Sequence, residues 1–250
     1  MFPAVDERLR SGLPRLPVVP TLSLGAFAAL AAAVERGGRL VGLDHRIAGW
    51  LSVHRSAPVQ HLALLAVSLG EPNRAPLVLL MLGATLSIVR RNWDPVRTAG
   101  VAVVALTVLV LGAKVAFGRP GPGGPVPFAA GGHGGLDAWL GAMDQGAFPS
   151  GHTTTAVVTW SVGVILLRGR LGRAGIALVA AVGLIVGWAL VYAGFHWFSD
   201  VLGAYPFAIA IVWTVLRVCR PAASRTNRAE REIAPISDPA PVTTRSRACA

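Results

Sequence analysis

Six apolar runs decide what this chain can fold into: Pro17 to Val34, Ala75 to Val89, Thr98 to Ala113, His152 to Leu167, Ala174 to Ala193 and Val201 to Leu216. A helix of about 20 mostly apolar residues spans the hydrocarbon of a bilayer, and a shorter one suffices when long basic side chains at its ends reach the headgroups. The runs therefore predict an all-α integral membrane bundle of about six transmembrane helices. Composition agrees: 53% of the residues are hydrophobic and 14% charged, with a mean hydropathy of +0.58, values that fit a soluble domain poorly. The first run is read as a span and not as a cleaved signal, since Asp6 and Glu7 dilute the basic end and no clear cleavage site follows.

Basic residues set the orientation, because cytoplasmic loops collect Lys and Arg. With both termini inside, the inner segments hold Arg8, Arg10 and Arg15, then Arg90, Arg91 and Arg97, then Arg168, Arg170 and Arg173, and a run of arginines from Arg217 to Arg247. That is most of the 23 basic residues, so the net charge of +11 is chiefly a topology signal and no nucleic-acid partner is expected. Residues 1–16 are expected as a cytoplasmic N-terminal segment, 17–218 as one membrane-embedded domain, and 219–250 as a disordered basic cytoplasmic tail suited to anionic lipid. Cys219 and Cys249 fall on the reducing side, so neither a disulfide nor a metal site is expected. The sequence does not fix an oligomeric state.

The chemistry-bearing residues gather on the opposite face. The longest outer loop, Val115 to Gly151, is crowded with glycine and proline, and loops of this length are usually functional or disordered. A second outer segment spaces Leu43, Ile47, Trp50 and Leu51 at helical intervals, as a helix lying in the interface would. Lys114, the sole lysine, closes the third span, and Arg119 follows it. "PSGH", Pro149 to His152, opens the fourth span, and "YAGFHWFSD", Tyr192 to Asp200, joins the fifth to the sixth. Three distant segments thus deliver a lysine, an arginine, two histidines, a serine and an aspartate to one side of the bundle.

Each of these residues also has a plain structural reading. Lys114 suits an interfacial anchor, Ser150 with Gly151 a helix N-cap, and His152 an interfacial polar contact. If the sixth helix begins near His196, then His196 and Asp200 lie one helical turn apart, where an aspartate holds one ring nitrogen protonated and leaves the other as a nucleophile. The amides of a helix start, with His152 beside them, make an anion site.

As an ordered set, these motifs resemble the type 2 phosphatidic acid phosphatases and their relatives, the lipid phosphate and undecaprenyl diphosphate phosphatases. The family pattern is Lys, six residues, Arg-Pro; then Pro-Ser-Gly-His; then Ser-Arg, five residues, His, three residues, Asp. "PSGH" is intact here, and His196 and Asp200 match the third motif, so the resemblance covers about residues 40 to 216. It implies that His196 attacks phosphorus, Asp200 orients it, and His152 protonates the leaving oxygen and then activates water. It also implies that Lys114, Ser150 and Gly151 hold the phosphate, with no cofactor and no metal. Two departures stand out: Gly121 occupies the first motif's arginine position, and Ala189 and Leu190 stand where the family has Ser-Arg. Arg119, two residues before Gly121, is the expected substitute on the phosphate.

The sequence thus points to a multi-pass cell-membrane phosphatase acting on a lipid phosphate or polyprenyl diphosphate at the outer face, with activity weakened if the missing arginines are not replaced. A phosphotransferase fits the same residues. A non-catalytic lipid-phosphate binder or scaffold would not require two histidines and an aspartate. A transporter is disfavoured because no charged residue lies at midspan in any of the six runs.

Overall fold

The computed structural model describes residues 18–123 and 146–219. The described residues are all-α, without a β-strand. The helices run α1 Val18–Glu35, α2 Arg39–His54, α3 Ala57–Val67, α4 Ala75–Arg90, α5 Asp94–Phe117, α6 Gly151–Arg168, α7 Arg173–Ala193 and α8 Phe198–Val218, with a 3-10 turn at Ser68–Gly70. The expected N-terminal segment, the middle of the long loop, and the expected tail beyond Cys219 lie outside the described residues.

All six apolar runs form long helices: α1 and α4 to α8. Four of them, α1, α5, α7 and α8, are long and apolar enough to cross a membrane on their own. Ala57–Gly70 and Ala75–Arg90, which meet at a 44° bend, together make a fifth candidate span. The expected fourth span, α6, falls short of that standard for a physical reason. It packs against α4, α5, α7 and α8 at once, and two thirds of its 18 residues are buried, among them Thr153, Thr154, Thr155, Thr159 and Ser161. A helix ringed by other helices meets little lipid, and hydroxyls serve such interfaces by bonding to nearby carbonyls. Thr154 Oγ1 donates to Ser150 O at 2.8 Å and Thr159 Oγ1 to Thr155 O at 2.7 Å.

The core surrounds this helix. Leu79 of α4, Ala102 and Leu106 of α5, Val158 and Val162 of α6 and Ile211 of α8 form one apolar cluster. Leu51 of α2, Ala63 of α3, Ala156 of α6 and Val186 and Leu190 of α7 form a second. A third fixes the entry to α6: Phe148, fully buried, packs among Phe27, Phe117 and the residues Ala31 and Val34 of α1. The segment anticipated as a helix near Leu43 to Leu51 is α2, which contacts α1, α7 and α8.

Candidate active site

Three chain turns meet at one end of α6. Lys114 lies in the last turn of α5, whose cap, Gly118, takes a left-handed φ of 53° and donates its N–H to Lys114 O at 2.9 Å. Glycine enters that region without the Cβ clash other residues meet. The chain therefore swings at once into Arg119, and the Ala147 N–H donates to Arg119 O at 2.7 Å, clamping together the two ends of the long loop. Ser150 caps α6, accepting at Oγ from Thr153 N at 3.4 Å, while its own N–H donates to Asp200 O at 3.0 Å. "PSGH" is thereby pinned to the first turn of α8. Lys114 reaches the same spot: its Nζ is 3.7 Å from the point where a Cβ on Gly151 would sit.

Asp200 is fully buried and saturated with donors. Its Oδ1 accepts from Arg119 Nη1 at 2.6 Å, and its Oδ2 from Trp197 N at 2.9 Å. The same Oδ2 faces His196 Nδ1 at 3.4 Å. With Nδ1 held by the carboxylate, His196 presents Nε2 to the site. His152 faces it, the two imidazole centroids 6.5 Å apart and their planes at 67°. His152 Nε2 lies 3.6 Å from Glu71 Oε2.

The structure brings together all seven expected site residues, but Arg119 arrives with partners the sequence did not reveal. Its Nη2 contacts Asp44 Oδ2 at 2.7 Å, its Nη1 also donates to Ser199 Oγ at 2.7 Å, and its guanidinium lies 5.5 Å from the Trp197 ring centre. Ser199 closes the circuit, donating from N to Asp44 Oδ1 at 2.9 Å and from Oγ to Asp44 Oδ2 at 2.5 Å. Asp44 is only 1% exposed. Two buried carboxylates thus share one guanidinium, the arrangement that lets charge persist away from water. The expectation placed Arg119 on the phosphate, whereas here both of its terminal nitrogens are engaged by carboxylates.

Asp44, Ser199 and Glu71 escaped the sequence reading. Asp44 did leave a signal: it shares a helix face with Leu40, Ile47 and Leu51, so an aspartate stands in an apolar stripe. Glu71, in the turn between α3 and α4, left none. At the departures from the family pattern, Gly121 lies 3.5 Å from Phe195 O by its absent Cβ, and Leu190 is buried in the apolar cluster with Leu51 and Val186. No charge enters the site from position 190.

The fold is similar to that of a transmembrane PAP2-type phosphatidylglycerolphosphate phosphatase from Bacillus subtilis, with a TM-score of 0.64 and 20% identity over 80% of this chain and 94% of that one. No curated protein sequence matches. A family model, the PAP2 superfamily, matches residues 95–223, a stretch that contains Lys114, Arg119, "PSGH", His196 and Asp200 and exceeds half of the chain; the protein belongs to that superfamily.

Proposed function

We propose that this membrane protein hydrolyses a lipid phosphate or isoprenyl diphosphate at the outer membrane face through a phosphohistidine. The observation that carries the reading is the pairing of a carboxylate-held His196 with His152 across a gap of 6.5 Å between ring centroids, Lys114 alongside. Reacting atoms meet at about 3–3.5 Å, so a phosphoryl group fits between the two rings. His196 Nε2 attacks phosphorus, and the bond to the leaving oxygen breaks as His152 gives that oxygen a proton. His152, now neutral, takes a proton from water as its oxygen attacks the phosphohistidine, releasing phosphate and restoring both rings. Lys114 and the first amides of α6 stabilise charge on the equatorial oxygens. Arg119, neutralised by two carboxylates, acts mainly by holding Asp200 and with it His196.

The outward placement rests on the distribution of basic residues, and the similarity to a phosphatidylglycerolphosphate phosphatase puts that lipid in the substrate panel. The test is phosphate release by detergent-purified protein from phosphatidic acid, phosphatidylglycerol phosphate and a polyprenyl diphosphate, with and without EDTA. Release from at least one, insensitive to EDTA and accompanied by an acid-labile phosphoenzyme, is the expected result. A protein that binds these lipids yet turns over none would be the non-catalytic binder.

A further inference from the structure

Glu71 is held against His152 by the packing of the turn that precedes it. The 3-10 turn Ser68–Gly70 lies on the first turns of α6. Trp160 Nε1 donates to Leu69 O at 3.1 Å, fastening the turn from one side. At Gly70 the approach is so close that a Cβ would collide with the His152 carbonyl oxygen and touch Ala156 Cβ at 3.0 Å. Only glycine permits this contact, and its consequence is to place the next residue, Glu71, beside the imidazole. The backbone of Glu71 is fixed as well, its carbonyl accepting from Arg74 N at 3.2 Å and Ala75 N at 3.0 Å as α4 begins. Among the described residues the carboxylate makes its one side-chain contact with His152, Nε2 to Oε2 at 3.6 Å, and the side chain is 30% exposed.

We propose that Glu71 is a positioning residue that holds His152 as the proton-bearing histidine of the pair. The inference rests on the proposed phosphatase reading. The two histidines need opposite states when the reaction begins, one with a free lone pair and one carrying a proton. The structure gives each its own carboxylate in a different setting. Asp200 is fully buried and already shared with Arg119 and the Trp197 amide, so it orients His196 without a free charge to offer. Glu71 is partly hydrated and, among the described residues, engages His152 alone, so its carboxylate favours the imidazolium and aims it. The other titratable groups facing His152 are His196, from the turn before α8, and Lys114, from α5. Among these neighbours Glu71 is the acid. After the leaving oxygen takes the proton, the same carboxylate steadies the imidazolium that re-forms when His152 takes a proton from water.

An acid matters in proportion to how poor the leaving group is, and this supplies a readout that a merely structural role would not move. A lipid alkoxide needs the proton, whereas nitrophenolate departs without it. Glu71→Gln preserves shape and removes charge. Measured with wild type in detergent, it should slow single-turnover release from phosphatidic acid by about tenfold or more, while the nitrophenolate burst from p-nitrophenyl phosphate changes by less than about threefold. Glu71→Asp should recover part of the lipid rate, and the KM for phosphatidic acid should stay near that of wild type. An equal loss on both substrates, or no loss on either, overturns the role of Glu71 even though the wild type still forms its phosphoenzyme. A wild type that produces no burst and no phosphate refutes the phosphatase reading and this inference with it.

Discussion

Removing Arg119 tests the buried network most sharply. In the structure the Arg119 side chain is 12% exposed and its guanidinium bridges two carboxylates whose side chains are wholly buried, at 2.6 Å and 2.7 Å. Arg119→Ala leaves Asp44 and Asp200 facing each other across the space it vacates. Breaking a buried ion pair by deleting one partner costs about 3–5 kcal/mol, because the surviving charge loses its compensation. For a chain of this size that corresponds to a fall in unfolding midpoint on the order of 10 °C. Asp44→Asn should cost less, about 1–3 kcal/mol, since Arg119 keeps Asp200 and the Ser199 amide keeps an acceptor. The two changes should not add. With Asp44 already neutral, Arg119→Ala strands one carboxylate instead of two, so the double variant should be more stable than the sum of singles predicts by about 0.5–3 kcal/mol. Thermal unfolding in one detergent, at one pH, measures all four proteins. Turnover gives the functional half: Arg119→Ala should lower kcat by at least about tenfold, and Arg119→Lys should restore only part, because an ammonium cannot fork between two carboxylates. Inhibition by inorganic phosphate should change little if Arg119 acts through Asp200. Additive stabilities would refute the shared network, and a loss confined to phosphate affinity would return Arg119 to the phosphate itself.

Three further outcomes follow from the same geometry. His196→Ala should abolish turnover and the phosphoenzyme, whereas His152→Ala should slow turnover and accumulate the phosphoenzyme, trapped by an alkaline detergent quench; a phosphoenzyme persisting in His196→Ala would reverse the roles. Phe148→Ala should cost about 3–5 kcal/mol in unfolding experiments and depress activity, because this fully buried ring seats the turn that carries Ser150 and His152. For orientation, a cysteine at Val53, 76% exposed, should react with a membrane-impermeant thiol reagent in intact cells. A cysteine at Trp93, 82% exposed, should not react, and the opposite pattern would place the site on the inner face.

The helices were legible because their signal is local. Runs such as Ala174 to Ala193 carry their apolar character in consecutive residues, and α7 Arg173–Ala193 follows that run almost residue for residue. His196 and Asp200 were legible as a spacing of four residues, although His196 lies just before α8 and it is Asp200, in the first turn of that helix, that reaches back to it. "PSGH" at the head of α6 needed only Ser150 as a cap. The exposure of each helix to lipid was not legible. Both α6 and α5 read as apolar runs, yet α6 lies inside a ring of four helices and α5 at the edge, a distinction made by neighbours far away in sequence.

Counting along the chain gave no sign of Arg119's partners. It sits two residues from the family position, and the left-handed turn at Gly118 brings it to Asp44 and Asp200, 75 and 81 residues away. The sequence by itself determined a helical membrane chain, its "PSGH" turn and its His196–Asp200 pair, since hydropathy runs and helical spacing act over neighbouring residues. Only the tertiary structure decided which charges meet: Asp44 with Arg119, and Glu71 with His152. Buried charges must find a compensating partner wherever the packing brings one within reach, and which partner that is depends on how the helices close around α6.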